Sequence, residues 1–465
     1  MQNIYDNVAD LCSFVIRSCT EDFFVKFSCV SPAEKDRTAA IVQAEVGELF
    51  QETPLGPSRY KIRQIEPLEL TEDFFARLEK LSERLKSEKD FFGVAGLIQI
   101  LDESLETMLV AKIKEFEEDD FSVVLNGNRE TTGIGLLPRC SCVWERTHRM
   151  SHSYNRMDNF LFNMLLMENT ILGELIDKHI FLKRNLFTEF AKTRRLKIAA
   201  TPLRLEKQFE AVPYDHENIQ YFKIRYTESD FSKSNELIWK KITTAADNRA
   251  DIVVFPEMLG NPEMVDYVSG KLKALSPEET KNIPSLIILP SFWENNHNSV
   301  TILDKFGNVI CKQGKQNPFR SEREGSGRLE GIFANLVINI FHFQGIGRLA
   351  ILICKDFLTT KYLEQLMRCF KLTLIVVPSF STGSYDFRRS FDLCAHDDCN
   401  VVWINTCAAI RKGKEANFES VGYVRKRVSR NDDESQMLSK MTICDGAFEG
   451  KCNHDCLFYE TIQGV

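Results

Sequence analysis

Three reactive side chains of different types follow apolar segments in the second half of the chain. Glu257 and Cys354 each end a strand-like apolar run, and Lys315 follows the turn Phe306-Gly307-Asn308. A free thiol is mostly protonated at neutral pH, so it needs a base or a cation before it becomes a useful nucleophile. A carboxylate can take the thiol proton, and an ammonium group can stabilise an oxyanion. Together these side chains suit addition to an electrophilic carbon, followed by hydrolysis.

Each of the three residues also has an ordinary structural interpretation. A Cys at the end of an apolar strand is commonly a small buried hydrophobe. A Glu after Phe-Pro commonly caps a loop, and a single Lys is usually a solvated surface charge. The chemical interpretation therefore depends on the order of these residues and on the elements that carry them.

Short strand-like runs alternate with amphipathic helical segments from Leu196 onward. This alternation predicts a layered α/β architecture, in which sites form where strands end. The predicted strands are 196–200, 251–255, 285–290, 299–303, 349–354, 372–378 and 400–405, and the predicted helices are 234–248, 360–370 and 390–397. The polar stretch 203–232 is longer than a minimal connection needs, and it is expected to form a lid or a partner surface.

The ordered set of segments over residues 195–461 resembles the nitrilase, or carbon–nitrogen hydrolase, superfamily. Any one segment would be a weak signal, whereas their order is specific. The segments that carry the resemblance are the strand ending in Phe255-Pro256-Glu257, the hairpin from Asn298-Ser299-Val300 to Val309, Lys315-Gln316-Asn317-Pro318-Phe319, the stretch 347–356 around Cys354, and the strands at 374–379 and 399–405.

The resemblance implies a four-layer α-β-β-α fold with a Glu-Lys-Cys triad. In it Glu257 is the general base and Cys354 the nucleophile. Lys315 and the backbone N–H of Lys355 stabilise the tetrahedral intermediate. Attack on an amide-like carbon then expels an amine and leaves a thioester, which water activated by Glu257 hydrolyses.

Members of this superfamily commonly carry a second carboxylate shortly after the lysine. Glu322 and Glu324 are both candidates here, with Glu322 slightly favoured, and a charged surface loop is the alternative interpretation of this segment. Lys355 follows Cys354 where the superfamily often has an aromatic residue. It is interpreted either as a substrate-positioning cation or as an outward-facing surface residue. Lys312 is a weaker candidate than Lys315, because Asn-Pro-Phe follows only the latter closely.

Residues 1–194 are predicted to form a mainly α-helical domain of unknown role, ahead of the hydrolase-like domain at 195–465. Thr71-Glu72-Asp73 can begin a helix, with Phe74, Leu78, Leu81 and Leu85 at helical spacing. Further helices are predicted at 97–116 and 159–190, with breakers at 53–57 and 126–128 between the helical segments. The helices are expected to form a bundle that packs on itself or on a protein partner.

Composition excludes several other classes of protein. The 465 residues are 43% hydrophobic and 27% charged, an ordinary globular balance. The net charge of −7 gives no broad basic surface for nucleic acid. The apolar runs are too short for a membrane span, and the first residues lack the cationic region of a secretory signal. The 14 cysteines are scattered, which favours reduced thiols in a cytoplasmic protein.

Two cysteine- and histidine-containing clusters have spacings that could suit a metal, although buried or surface side chains are the simpler interpretation. One contains Cys140, Cys142, His148 and His152; the other contains Cys452, His454 and Cys456. We predict no metal at either. The chain has no P-loop, no Gly-rich dinucleotide motif and no His-Glu-x-x-His motif, so we expect no cofactor.

The first hypothesis for function is a thiol hydrolase of non-peptide carbon–nitrogen bonds, acting on an amide more readily than on a nitrile. The resemblance also implies homo-oligomers built through the hydrolase-like domain. The second hypothesis is a scaffold, sensor or effector, for instance in a bacterial defence system, in which this domain mainly mediates assembly. The complete triad favours the enzyme.

Overall fold

The computed structural model describes residues 3–52, 60–119, 123–145, 156–203, 208–323, 326–410, 420–427, 438–444, 446 and 456–463. None of the helices in these ranges is long and apolar enough to cross a membrane.

The first part of the chain packs helices around their own core. The helices are α1 (Ile4–Ser18), α2 (Glu21–Ser28), α3 (Pro32–Glu45), α4 (Glu72–Ser87), α5 (Phe91–Ser104) and α6 (Glu106–Phe116), with a small antiparallel pair of strands, β1 (Phe50–Glu52) and β2 (Tyr60–Ile62). Helix α4 begins where the sequence predicts, because the Thr71 side chain accepts a hydrogen bond from the Phe74 N–H at 3.2 Å. The apolar residues predicted for its inner face are buried.

The segment that joins the helices to the large sheets contains more β-structure than the sequence predicts. Its elements are α7 (Arg129–Thr132), β3 (Ile134–Pro138), β4 (Met164–Glu168), α8 (Asn169–Leu172), β5 (Ile176–Phe181) and α9 (Thr188–Thr193). The helix predicted at 159–190 is therefore wrong. Along β4, Leu165 and Met167 enter the core of the large sheets, whereas Met164 and Leu166 enter the core of the helices. A strand buried on both faces has a continuous apolar run, which periodicity alone does not distinguish from a buried helix.

Residues from 195 onward form the main body of the fold. The strands are β6 (Arg195–Ala200), β7 (Phe209–His216), β8 (Ile219–Tyr226), β9 (Ile252–Val254), β10 (Leu286–Ile288), β11 (Phe292–Glu294), β12 (His297–Asp304), β13 (Val309–Gly314), β14 (Arg320–Arg323), β15 (Ser326–Glu330), β16 (Val337–Phe343), β17 (Gly347–Ile351), β18 (Leu374–Pro378), β19 (Asn400–Ile404), β20 (Gly422–Arg425), β21 (Leu438–Met441) and β22 (Phe458–Gln463). The helices are α10 (Ser232–Asp247), α11 (Met264–Lys273), α12 (Pro277–Thr280), α13 (Lys355–Leu358), α14 (Thr360–Phe370) and α15 (Phe387–His396).

In the described residues most of these strands, together with β5, form two large sheets. The first has the order β11-β12-β10-β9-β6-β22, with β13 paired to β12, and the second has the order β21-β20-β19-β18-β17-β16-β5. Strand β5 pairs in parallel with β16 along six residue pairs, from Val337↔Ile176 to His342↔Phe181. The domain boundary expected between residues 194 and 195 therefore separates β5 from the rest of the second sheet. Strand β5 precedes this boundary in the chain, yet it forms the edge of that sheet.

The two sheets pack face to face, with helices on their outer surfaces. Alternate residues of β9 divide between two cores: Ile252 and Val254 join the core shared with the second sheet, whereas Val253 joins a core formed with helices α10 and α11. On the other side, α14 and α15 bury their apolar faces against the second sheet. The four-layer α-β-β-α arrangement, preceded by helices, is thereby confirmed.

A smaller sheet lies at the ends of the large ones. Its order is β14-β15-β8-β7, and it combines the hairpin at 320–330 with the long connection at 209–226. The two parts join through a parallel pairing of β15 with β8. The polar stretch that the sequence analysis interpreted as a lid or partner surface therefore supplies β7 and β8, and residues of both strands line the cavity described next.

Candidate active site

Three elements bring Glu257, Lys315 and Cys354 to one place. Glu257 follows β9, and its backbone N–H donates to the Ser379 carbonyl at 3.3 Å, across the interface between the two sheets. Cys354 follows β17, and its N–H donates to the Pro378 carbonyl at 2.9 Å. The antiparallel pairing of β12 with β13 delivers Lys315. Because the ends of strands in both sheets meet here, residues distant in sequence become neighbours.

The ammonium group of Lys315 lies between two buried carboxylates. Its Nζ is 2.8 Å from Oε1 of Glu257 and 2.8 Å from Oε2 of Glu330. The three side chains are only 2%, 2% and 4% exposed, respectively. The electrostatic interaction is therefore screened little by solvent, and both carboxylates hold the lysine in one position.

Further hydrogen bonds fix the Glu257 carboxylate. Its Oε1 accepts from Asn298 Nδ2 at 2.8 Å, and its Oε2 accepts from the Phe380 N–H at 2.9 Å. The carbonyl of Asn298 also accepts from the Lys315 N–H at 2.8 Å, so one residue supports both members of the pair. Glu257 is thus oriented by groups from both sheets, as a general base must be before it can act on a defined proton.

The second carboxylate lies on the hairpin of the small sheet. Oε2 of Glu330 accepts from the Phe319 N–H at 2.8 Å as well as from Lys315. The sequence analysis expected this carboxylate at Glu322. Glu322 lies on β14, where its backbone pairs with Gly327, and Glu324 lies outside the described residues. Strand β15 pairs antiparallel with β14, so the carboxylate that contacts Lys315 comes from the returning strand of the hairpin.

Cys354 occupies an unusual backbone position at the start of α13. Its φ is +47° and its ψ is −97°, in a region that non-glycine residues rarely adopt. The residue is 4% exposed and lines a cavity together with Glu257, Lys315 and Glu330. The turn directs the chain away from β17 immediately before the thiol, which leaves the sulfur at the cavity rather than in the sheet.

Burial and charge determine the protonation states in this cavity. Burial raises the pKa of the Cys354 thiol above its usual value, and the charge of Glu257 raises it further, against the opposing effect of Lys315. Burial alone would lower the pKa of Lys315, but Glu257 and Glu330 outweigh it and hold that pKa well above its usual value. Burial raises the pKa of Glu330, although Lys315 acts in the opposite direction. The resting site therefore has a neutral thiol and a charged ammonium group.

Asp356 connects the cysteine turn to the lysine segment. Its carboxylate accepts from the backbone N–H groups of Gln316 at 3.0 Å, Asn317 at 2.7 Å and Ile353 at 3.3 Å. The residue is 2% exposed, and burial raises its pKa to about 6. One side chain therefore sets the distance between the loop that carries Lys315 and the turn that carries Cys354.

The cavity has a volume of about 360 Å³. Its inner end holds the residues just described, and its walls are largely apolar. The lining residues outside the charged cluster are Phe209, Glu210, Ala211, Phe222, Ile224, Met258, Phe319, Ser321, Arg328, Phe380 and Thr382. Seven of these come from β7, β8, β14 and β15, so the small sheet forms one wall.

The remaining predicted residues lie around this site. Lys355 is partly buried as the first residue of α13, and among the described residues its side chain is not part of the cavity lining. Lys312 is exposed on β13, where it pairs with Thr301, and it is separate from the cluster. Cys140 is buried and Cys142 partly buried, whereas His148, His152, Cys452 and His454 lie outside the described residues. Across the described ranges, no three or more His, Cys, Asp or Glu side chains gather to hold a metal ion.

The sequence analysis assigned no role to three residues of this site, namely Asn298, Glu330 and Asp356. Asn298 and Asp356 lie inside segments that carry the resemblance to the superfamily, so the sequence contains a signal for both residues. Glu330 has no such signal, because its contact with Lys315 depends on how the hairpin folds.

No protein-family model matches the chain, and no curated protein matches it. Among solved structures, an amidase from Nesterenkonia sp. is 14% identical, with 58% of this chain and 90% of that chain covered and a TM-score of 0.38. The C. elegans NitFhit protein is 16% identical, with 58% and 61% covered and a TM-score of 0.36. A mutant of the amidase from Nesterenkonia sp. AN1, with the acetamide moiety of fluoroacetamide added covalently at its active site cysteine, is 12% identical, with 56% and 94% covered and a TM-score of 0.36. The amidase from Nesterenkonia sp. AN1 is described as a member of the nitrilase superfamily.

Proposed function

We propose that this protein is a thiol hydrolase that cleaves a non-peptide carbon–nitrogen bond, with an amide as the substrate class. The observation that carries the proposal is the position of Lys315, which lies 2.8 Å from both Glu257 and Glu330 in the cavity lined by Cys354. A buried ion cluster beside a thiol on a strained turn has the parts that nucleophilic catalysis needs.

Acylation begins with a neutral thiol, because burial raises the pKa of Cys354. Glu257 takes the thiol proton as the sulfur attacks the amide carbon, and a C–S bond forms. The negative charge that develops on the amide oxygen is stabilised by the Lys315 ammonium and by the backbone N–H of Lys355. Glu257 then gives its proton to the leaving nitrogen, the C–N bond breaks, and the amine departs from a thioester.

Deacylation uses the same groups with water as the nucleophile. Glu257 takes a proton from water, the resulting C–O bond forms a second tetrahedral intermediate, and Lys315 again stabilises its oxyanion. The C–S bond breaks, the sulfur recovers a proton from Glu257, and the carboxylic acid leaves. The balanced reaction is amide plus water to acid plus amine, without a cofactor.

Glu330 is a positioning residue in this mechanism. It contacts Lys315 and the Phe319 N–H, and it holds the ammonium beside Glu257. An amide is favoured over a nitrile because amide hydrolysis is the broader activity of the superfamily that the sequence resembles. A cytoplasmic location, homo-oligomers through the hydrolase-like domain and a protein partner for the N-terminal helices remain proposals.

The test compares Cys354→Ala with the wild type on a panel of small amides, with released ammonia or amine as the readout. Rapid quenching and intact-mass measurement should also detect an acyl adduct on the wild type, localised to Cys354 by peptide mapping. Cys369→Ala is a matched control, because Cys369 is a buried thiol on α14 that is not part of the cavity lining in the described residues. We expect loss of turnover and adduct in the first variant and retention of both in the second.

Two results would contradict the proposal. Turnover that persists in purified Cys354→Ala would exclude this thiol as the nucleophile. A biological activity that survives in Cys354→Ala, with no adduct on the wild type across the panel, would favour the scaffold or effector hypothesis. Thermal unfolding of each variant separates loss of chemistry from loss of the fold.

A further inference from the structure

One cation in the cavity is not used by the chemistry described above. Arg328 lies on β15, two residues before Glu330, so both side chains leave the same face of the strand. Their Cα atoms are therefore about 6.6 Å apart along the strand. Arg328 pairs across the hairpin with Ser321, and both line the cavity. The guanidinium group thus lies on the wall of the cavity whose inner end holds Lys315 and Cys354.

The carboxylates that line this cavity already have cationic partners. Glu257 and Glu330 both contact Lys315. Oε1 of Glu210 accepts from Nε of Arg225 at 2.6 Å on the neighbouring strands β7 and β8. Among the described residues, Arg328 has neither a hydrogen bond nor an ion pair through its side chain, although it is partly buried. A partly desolvated guanidinium group without a counter-ion is a binding site for an anion.

The surroundings of Arg328 restrict the ligand further. Phe209, Phe222, Ile224, Phe319 and Phe380 make most of the remaining wall apolar. The planar guanidinium group matches a carboxylate through two parallel hydrogen bonds, whereas the apolar wall matches hydrocarbon. The cavity therefore combines an apolar middle with a cation on its wall and the reactive groups at its inner end.

We propose that the substrate is an amide that also carries a carboxylate, joined to the amide by a short apolar chain. The amide carbon lies against Cys354, the hydrocarbon contacts the phenylalanine side chains, and the carboxylate pairs with Arg328. This inference rests on the proposed function, since it assigns the substrate class of the same site. Arg328 then selects the substrate, and it takes no part in bond making or breaking.

The test first measures binding, so that it does not depend on turnover. Cys354→Ala is titrated calorimetrically with succinamate, glutaramate and adipamate, and with the neutral amides of equal chain length, butyramide, valeramide and hexanamide. Arg328→Leu and Arg328→Lys are introduced into the same background. Arg320→Leu is the matched control, because Arg320 is an exposed cation on the paired strand β14 and is not part of the cavity lining in the described residues.

We expect at least one carboxylated amide to bind more tightly than its neutral counterpart. Arg328→Leu should weaken that binding about ten- to a hundredfold, the usual scale for a charge-assisted pair, and Arg328→Lys should weaken it less. Arg320→Leu should leave the preference unchanged. In enzymes with Cys354 present, the ratio of kcat/KM for the carboxylated amide over the neutral one should fall by a similar factor in Arg328→Leu.

The inference is overturned if neutral amides bind as tightly as carboxylated ones, if Arg328→Leu leaves the preference intact, or if none of the three carboxylated amides binds. Hydrolysis of neutral amides with no such preference would leave the proposed function standing and remove only this inference. Binding that depends on Arg328, together with no turnover by the wild type, would contradict the proposed function and leave the recognition of a carboxylated amide by Arg328 standing. Far-ultraviolet circular dichroism of each variant verifies that the substitution at Arg328 or Arg320 in the hairpin has not unfolded the protein.

Discussion

Replacing Lys315 by Met removes the only cation that contacts Glu257 and Glu330 through an ion pair within the described ranges. In the wild type the ammonium group lies 2.8 Å from each carboxylate, and all three side chains are at most 4% exposed. The cluster carries a net charge of −1 when both glutamates are ionised. Met has a similar length and volume to Lys, so the substitution removes the charge without opening a large cavity.

The size of the effect follows from leaving buried charges without a partner. Removal of one member of a buried ion pair usually costs about 3–5 kcal/mol, because the remaining charge is neither hydrated nor paired. Here two carboxylates lose the same partner, although Asn298 and the Phe380 N–H still stabilise Glu257. We therefore expect Lys315→Met to lower the free energy of unfolding by about 3–5 kcal/mol at neutral pH.

The loss should depend on pH with a definite sign. Burial raises the folded-state pKa of Glu330, and without the opposing effect of the ammonium group this pKa lies further above its unfolded value of about 4.3. A group whose pKa is higher in the folded state stabilises the fold below its unfolded pKa and loses that contribution as pH rises through the folded pKa. The variant should therefore approach the wild type in stability near about pH 5 and fall furthest below it near about pH 8.

Urea unfolding followed by circular dichroism measures this difference, with Lys315→Met/Glu330→Gln as the matched control. The double variant restores a net charge of −1, so it should regain a substantial part of the lost stability and show a weaker pH dependence. Equal unfolding midpoints for wild type and Lys315→Met at neutral pH would refute the argument. So would a double variant that is less stable than the single one, because the second substitution would then remove a favourable interaction.

Three further predictions concern the turn, its support and the pH dependence. Cys354→Gly should be about 1 kcal/mol more stable than Cys354→Ala in urea unfolding, because φ is +47° and only Gly adopts that region without strain; equal stabilities would contradict this. Asp356→Asn places an N–H donor against the N–H groups of Gln316 and Asn317, so it should lower the free energy of unfolding by about 1–3 kcal/mol. It should also lower kcat more than it raises KM, and an unchanged kcat would show that Asp356 does not position the triad. Burial raises the pKa of Asp251 to about 6, above its usual 3.9 or so, and its contribution to stability is therefore lost as pH rises through about 6. In Asp251→Asn the fall in unfolding free energy between about pH 5 and pH 7 should be shallower than in the wild type, and parallel curves would contradict the assignment.

The sequence was sufficient for the central strands of the two large sheets and for the helices α10, α14 and α15. Its β-like runs from residue 196 onward alternate with amphipathic helices, and these patterns specify buried strands and covering helices locally. The N-terminus of α4 could also be predicted, since Thr71 and the acidic residues after it interact with groups only a few residues away. Such features depend on neighbours in sequence, so sequence is enough to find them.

The strands β4 and β5 could not be predicted in the same way. The run that contains them is apolar on both faces, because β4 divides the core of the helices from the core of the sheets. Strand β5 is stabilised by its parallel pairing with β16, whose residues lie far along the chain. A buried strand and a buried helix have similar compositions, and only the distant partner decides between them.

For the candidate site, the sequence by itself determined which acid and thiol stand at the ends of predicted strands, and which amine follows the turn between them. It did not determine that Glu330 contacts Lys315, nor that Arg328 lines the same cavity. Both facts depend on the hairpin at 320–330 and on its pairing with β8. Tertiary structure decided them, because the contacts of a side chain depend on which distant segment the fold places beside it. Local sequence patterns contain no information about that distant segment.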